Sequence, residues 1–298
     1  MNIEPRICGT VILYNPDKSV RENIKSYLNQ VELLIVVDNS ETIDSKLVDE
    51  IRSFENVDYI FFTENLGVAT ALNVAANRAI EKGFQYMLTM DQDSKVQPNM
   101  VSSLLEISKG KTNVGIIAPL HMHKYGTHLK PVGSEQKVLL TMTSGNLLSL
   151  EAYKIIGKFC EDYFIDYVDI EYCFRMLQNN FNIWQANDVI LEHNEATISE
   201  RHFFNKKVHP HNHKPFRLYY KTRNLLYLRR KYKNVFPVLM KTEYNSYLWT
   251  IVRMIIYEEE KFLKLKMVFL GVCGYLTNSV GKGIFKRTKS DSRIKMLI

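Results

Sequence analysis

Short apolar runs alternate with amphipathic segments through the first 120 residues, and this alternation leaves few folds open. The apolar runs at residues 7–13, 33–37, 57–62, 86–90 and 114–119 are near-continuous, as strands buried on both faces must be. Between them, residues 20–28, 43–54, 67–82 and 98–108 read as helices. The first run ends at the turn signal Tyr14-Asn15-Pro16-Asp17, and the segment 67–82 closes on Gly83. This order predicts an α/β fold with a mostly parallel, doubly wound sheet flanked by helices. Ligands of such sheets lie beyond the strand C-termini. The polar strand ends here are Tyr14-Asn15, Asp38-Asn39, Thr63-Glu64-Asn65 and Asp91-Gln92-Asp93, and they are expected to converge on one crevice.

The pattern then changes. Residues 136–143 read as a strand ending in Ser144-Gly145-Asn146, residues 151–157 and 170–180 as helices, and residues 183–186 and 189–191 as short strands. From about residue 215 the chain reads as wholly helical, with Tyr, Lys and Arg mixed into apolar stretches. Charge divides the chain at nearly the same place. Residues 201–298 hold 22 Lys and Arg against 5 Asp and Glu, a balance of +17, while residues 1–200 hold 17 against 27, a balance of −10. An acidic first part with a basic last part points to an anionic partner for the latter. A membrane-spanning helix is not expected, because it needs roughly 20 apolar residues in a row. The best uncharged stretch, residues 267–281, is shorter and contains Gly271, Gly274, Asn278 and Gly281. The four cysteines, Cys8, Cys160, Cys173 and Cys273, lack metal-ligand spacing and read as reduced thiols. The N-terminus has no basic segment followed by an apolar one, so no signal peptide is expected.

Asp91-Gln92-Asp93 directly follows the apolar run at residues 86–90, at the end of an expected buried strand. Its two carboxylates repel each other, and burying both is costly unless a cation compensates them. Oxygen ligands suit Mg²⁺ or Mn²⁺, which bind phosphate oxygens as well, so this turn is a place to hold a metal–diphosphate. A second acidic cluster spans residues 164–175. Within it Asp169 stands where a helix begins, either as a cap or as a general base shielded from bulk water. His193, after an apolar strand, is either structural or completes the coordination of a metal held by the aspartates. The cluster His209-Pro210-His211-Asn212-His213 reads as a loop, since Pro210 and Asn212 break regular structure. Tyr219, Tyr220 and Arg223 fall close together on a helix, where Arg223 would clamp a phosphate. The competing readings of that segment are nucleic-acid stacking and plain helix packing.

The ordered set of motifs resembles the inverting family-2 glycosyltransferases of GT-A fold, and among them the bacterial rhamnosyltransferases. The matching segments are residues 11–16, 35–40, 64–73, 88–94, 143–146, 164–175 and 219–224, covering roughly residues 7–225. The resemblance implies a catalytic domain over residues 1–214, with a nucleotide-binding half to about residue 120 and an acceptor-side half after it. Residues 215–298 then form a separate basic helical region. It further implies that Asp38 and the backbone from Thr10 to Tyr14 hold the base and ribose, and that Asn65 and Asn73 shape the nucleotide pocket. Asp91 would face ribose or metal, Asp93 would bind the metal, and His193 would complete its coordination. Gly145 would let backbone approach the sugar or acceptor, and Asp169 would be the catalytic base. The chain departs from the family's Glu-Asp motif: Val168 stands where many relatives have Glu, and Glu171 replaces a common Asp. Asp166 is therefore a second candidate for the base.

The activity implied is metal-dependent, inverting transfer of L-rhamnose from dTDP-β-L-rhamnose to a polysaccharide or lipid-linked oligosaccharide acceptor. The cofactor would be Mg²⁺ or Mn²⁺, and the place the cytoplasmic face of the cell membrane. The basic helices would dock on that membrane, pack on the catalytic domain or form a homodimer. The alternatives are the same fold with galactofuranose, glucose or N-acetylglucosamine, a nucleotide-binding module without turnover, and a basic nucleic-acid-binding protein. The last leaves Asp91, Asp93 and Asp169 without a role, so nucleic acid is not an expected partner.

Overall fold

A computed structural model of the chain describes residues 4–122, 131–192, 198–203 and 206–285. The first part is built as the periodicity predicts: β1 (Ile7–Leu13), α1 (Val20–Leu28), β2 (Leu33–Asp38), α2 (Ser45–Arg52), β3 (Val57–Phe61), α3 (Val68–Glu81), β4 (Tyr86–Asp91) and α4 (Met100–Ser108). The second part follows with β5 (Val114–Met122), β6 (Glu135–Val138), β7 (Asn146–Ser149), α5 (Leu150–Ile156), α6 (Val168–Gln178) and β8 (Asn182–Glu192). A small hairpin, β9 (Arg201–Phe203) and β10 (Lys206–Val208), leads into α7 (Pro215–Tyr232), α8 (Pro237–Tyr257) and α9 (Lys261–Leu276).

Among the described residues, eight strands form one sheet in the order β3-β2-β1-β4-β7-β5-β8-β6. The β3-β2-β1-β4 half is parallel. Its strands read as apolar runs because helices cover both faces. Val11, Leu13, Leu34, Val36, Leu88 and Met90 pack on one side with α1, α2 and α4. Cys8, Ile35, Val37 and Met87 pack on the other with the small residues of α3, namely Ala69, Ala71, Ala75, Ala76 and Ala79.

The other half departs from the periodicity. Residues 136–143 are predicted as a strand, but β6 stops at Val138. The sheet is instead entered at Asn146, inside the predicted turn, where β7 lies antiparallel between β4 and β5. The Asn146 and Ser149 ends of β7 are as buried as Leu147 and Leu148, so composition conceals the strand. The two short strands predicted at 183–191 are one strand, β8. A register shift opposite Pro119 and Leu120 lets Asn187 turn aside and donate to the Val132 and Gly133 carbonyls.

The last helices share the main core. Leu225, Leu228 and Tyr232 of α7 and Met240 and Tyr247 of α8 belong to the buried cluster that contains Phe174, Tyr172 and Cys173 of α6. Glu171 fastens the same junction. It is fully buried and accepts from Arg175, Lys231 (2.9 Å) and the Tyr232 hydroxyl (2.8 Å). Burial opposes its charge, but Arg175 and Lys231 outweigh that and hold its carboxyl below the ordinary range. The cysteines are free thiols, and burial pushes Cys8 and Cys173 up to about 12, which leaves both inert.

Candidate active site

The strand ends meet as the parallel half requires. Asp38 stands in register with Leu13, and Asp91 with Ile12, so the two carboxylates flank the end of β1. Asp38 is buried and accepts from the Ser40 N–H (2.9 Å) and the Tyr59 hydroxyl. The neighbouring Asn39 accepts from the Leu66 N–H (2.8 Å), and Asn65 accepts from the Gly67 N–H (3.0 Å). These two amides fix the loop that enters α3.

Gln92, the middle residue of the acidic turn, fixes that turn in place. Its side-chain oxygen accepts from the Tyr14 N–H (2.8 Å), its amide donates to the Tyr14 carbonyl (3.3 Å), and its own carbonyl accepts from Asn23 (2.9 Å). On the other side, Ser144 bonds to Ser94 (2.7 Å) and to the Asp91 N–H (3.2 Å), and His121 Nε2 lies 2.7 Å from the Ser144 carbonyl. Asp91 is thereby half-buried and Asp93 exposed, on a turn held from both flanks. Gly145 makes the second flank possible. It has φ +79°, and a Cβ there would come within 2.7 Å of Leu191 and 2.8 Å of Pro119. The Lys95–Glu192 bridge brings the end of β8 to the same turn. His193 itself lies outside the described residues.

No group of three His, Cys, Asp or Glu suited to a metal occurs among the described residues. Asp91 and Asp93 nonetheless fit a hard cation. Mg²⁺ is usually held by one or two carboxylates and takes its remaining oxygens from substrate phosphates and water.

Asp169 opens α6 just after a loop of unusual backbone. Phe164, Asp166 and Tyr167 all have positive φ, between 61° and 65°. Each such residue costs on the order of 1–3 kcal/mol and persists only where its surroundings over-determine it. Here α7 supplies the restraint. The Asn224 amide nitrogen lies 2.8–2.9 Å from the Tyr163, Ile165 and Asp166 carbonyls. Arg217 forms a 2.6 Å ion pair with Asp166, and Lys221 a second at 3.3 Å. From the donor side, the Phe164 carbonyl accepts from the Val68 N–H at the start of α3 (2.8 Å). Gly67 permits that approach, because a Cβ there would sit 2.7 Å from the same carbonyl oxygen.

The two aspartates of this junction titrate apart. Burial opposes the Asp166 charge, but Lys221 and Arg217 more than reverse it and hold the carboxyl at about 2. Burial pushes the Asp169 carboxyl above its ordinary range; the Ile170 N–H opposes this and the Asp166 charge adds to it. Burial and the charge of Asp169 raise Glu243 on α8 as well. Asp169 lines a small cleft with Thr89, Thr141, Thr143 and Asn146, and Thr89 belongs to the strand that ends in Asp91.

Three of the residues expected at the pocket lie elsewhere. Thr10 is buried mid-strand, between Ile35 and Thr89, with its backbone committed to both neighbouring strands; only the Tyr14 end of that segment reaches the surface. Asn73 is buried between α3 and the segment after α5, bonding the Phe159 backbone, Glu161 and the Tyr153 hydroxyl. Arg223 is the largest correction. It is fully buried, stacks on Tyr219 and Tyr220, and donates to Asn224 and to the Asp162, Tyr163 and Gly281 carbonyls. A guanidinium so engaged braces the loop before Asp169 and does not clamp a phosphate. Gln92, Ser144 and Asn224 carry much of the site's geometry, yet each is a neutral side chain without a spacing signal.

A family model for glycosyl transferase family 2 matches residues 10–165, more than half of the chain. The chain belongs to this family. It is a glycosyltransferase, and its mostly parallel sheet flanked by helices is of GT-A type. This family-2 enzyme is 28% identical over 252 residues to the dTDP-rhamnosyl transferase RfbF of Shigella flexneri, covering 78% of this chain and 82% of that one. It is 21% identical to the low-salt glycan biosynthesis hexosyltransferase Agl10 of Haloferax volcanii, over 64% of this chain and 68% of the relative. Among solved structures, the mannosyltransferase PcManGT of Pyrobaculum calidifontis, in complex with GDP-Man and Mn²⁺, superposes with a TM-score of 0.58 at 12% identity, covering 93% of this chain and 88% of that one. GalNAc-T7 with UDP, GalNAc and Mn²⁺ superposes with a TM-score of 0.55 at 13% identity, over 64% of this chain and 43% of that chain. At these identities the structural likeness speaks for the fold alone.

Proposed function

We propose that this glycosyltransferase moves L-rhamnose from dTDP-β-L-rhamnose to a hydroxyl of a lipid-linked precursor of a bacterial surface polysaccharide, with inversion, at the cytoplasmic face of the membrane. The observation that carries the mechanism is the opposite tuning of Asp166 and Asp169. Two groups whose environments drive their proton affinities apart are suited to different roles. Asp166, paired with Arg217 and Lys221, is a poor proton acceptor. Asp169, half-buried and with its carboxyl raised by desolvation, is suited to general base catalysis at neutral pH.

Asp169 takes the proton of the acceptor hydroxyl as its oxygen attacks the anomeric carbon. The new C–O bond forms opposite the bond to the diphosphate, which leaves with the electron pair, so a β-linked donor yields an α-L-rhamnoside. Tyr14, Asp38 and Asn65 line the nucleotide side, while Gly145, buried against Leu191 and Pro119, holds its turn beside the cleft and does not itself meet the sugar. Asp91 and Asp93, with His193, would hold Mg²⁺ or Mn²⁺. That ion supplies charge neutralisation on the departing diphosphate. The Mn²⁺ in both structural neighbours supports a divalent ion without choosing it. The rhamnose assignment leans on the Shigella flexneri relative. Tyr219, Tyr220 and Arg223, which a nucleic-acid reading needs for stacking, are buried.

The test is a donor screen. Purified protein with Mg²⁺ or Mn²⁺ is given a panel of nucleotide sugars, with and without lipid-linked acceptor extract, and nucleoside diphosphate release is followed. Release from dTDP-rhamnose alone, abolished by EDTA, is the expected result. Release from another sugar keeps the mechanism and overturns the donor.

A further inference from the structure

The last two helices carry apolar stripes that the transfer chemistry leaves unused. On α8, Met240, Tyr247 and Met254 face inward, while Val238, Trp249, Val252 and Ile256 are exposed on the far side. On α9, Met267, Gly271 and Gly274 face inward, and a Cβ at Gly271 would come within 2.6 Å of the Tyr219 carbonyl on α7. The opposite face presents Phe262, Leu265, Phe269 and Leu276, at 91%, 38%, 66% and 69% exposure. Apolar patches of this kind mark interaction sites. No helix among the described residues is long and apolar enough to cross a membrane, so the stripes form a surface and not a span.

We infer that the outer face of α8 and α9 docks in the plane of an anionic phospholipid surface. The charge around the stripe selects this occupant. Lys261 and Lys266 flank it on α9, which contains no acidic residue. Among the described residues 261–285, Lys261, Lys264, Lys266 and Lys282 are basic and none is acidic. At the α8–α9 corner, Glu258 is buried and neutralised by Lys264 (2.8 Å), leaving Glu259 and Glu260 exposed. A second copy of the chain would set this cationic face against itself. An anionic bilayer accepts both features: aromatic and aliphatic side chains enter the headgroup boundary, and lysines reach the phosphates. The consequence for the enzyme is orientation. The helix that carries α9, α7, also holds the loop before Asp169, so docking fixes the cleft relative to the lipid. The inference rests on the proposed membrane setting and on none of its donor chemistry.

The experiment is sedimentation of the full chain with phosphatidylcholine vesicles, with and without phosphatidylglycerol, in the absence of any sugar. Binding is expected only where phosphatidylglycerol is present, and it should weaken sharply near 1 M salt, where screening shortens to ~3 Å. Phe262→Glu with Phe269→Glu should reduce binding at least tenfold. Lys261→Gln with Lys266→Gln should reduce it about 25-fold, at about fivefold per lysine. Both pairs are exposed, so an unchanged thermal midpoint is expected for each. Vesicles should also shift Trp249 emission to the blue, a change absent in Trp249→Phe. Three results would overturn the proposal: no sedimentation with either vesicle, equal binding to both, or a dimer in solution that Phe262→Glu with Phe269→Glu dissolves. Each leaves the donor screen untouched, so the two readings fail separately.

Discussion

Asp166 and Asp169 share one loop-to-helix junction, and α7 forms ion pairs with Asp166 through Arg217 and Lys221. Burial works against the charge of both carboxyls, yet one is held at about 2 and the other is raised. The cations fix the loop's position through Asp166, and burial tunes Asp169. This separation turns the candidate mechanism into distinct expectations for stability and for turnover.

Asp169→Asn is expected to lower kcat by about 10²–10⁴ with donor KM little changed, the range for loss of a general base. The acid limb of the wild-type pH–rate profile should lie above ~3.9, the ordinary aspartate value, and should disappear in the variant. The same variant should be more stable at neutral pH. A carboxyl with a raised folded pKa contributes stability below its unfolded pKa and loses it as pH rises through the folded one. Asparagine, always neutral, keeps that contribution. Equal turnover in Asp169→Asn and wild type at saturating donor would remove Asp169 from the chemistry.

For Asp166 the sign reverses. Its folded pKa lies below the unfolded one, so its contribution is present above ~3.9 and disappears as pH falls toward about 2. Asp166→Asn should therefore cost about 2 kcal/mol at pH 7 and flatten the stability loss between about pH 4 and 2. Urea midpoints measured across that window check both statements.

Arg223→Ala separates a brace from a clamp. Removing a buried, fully engaged guanidinium should destabilise the protein by about 3–5 kcal/mol, and Arg223→Lys should recover only part of that. A donor KM that rises in Arg223→Lys while the thermal midpoint stays at the wild-type value would restore the phosphate-clamp role.

The parallel half was legible in the sequence because both faces of β1, β2 and β4 are covered, which forces continuous apolar runs, and the acidic ends of those strands then mark the crevice. The acceptor half was less legible. Only four residues form β7, inserted between strands distant in sequence, and its Asn146 and Ser149 ends mimic a turn. Helical spacing correctly grouped Tyr219, Tyr220 and Arg223 on one face. It carried no information on whether that face meets solvent or, as here, the loop before Asp169 and the small residues of α9. Gln92 and Asn224 stood within the motifs but drew no role, because their work is bonding to backbone carbonyls and N–H groups of remote segments, which leaves no periodic trace.

Asp93→Ala tests the acidic turn without disturbing the fold. The side chain is exposed, so the thermal midpoint should stay within error of wild type. Nucleoside diphosphate release should fall by at least ~10²-fold, and added Mg²⁺ or Mn²⁺ should no longer tighten nucleotide binding, because Asp91 alone is left on the turn. Gln92→Ala gives the complementary result. Both carboxylates remain, but the turn loses its two bonds to the Tyr14 backbone. Metal-dependent nucleotide binding should then survive with weaker affinity, measured by calorimetry with and without EDTA. If Asp93→Ala and wild type respond to metal alike, the cation is held by other groups and the acidic turn has a different task.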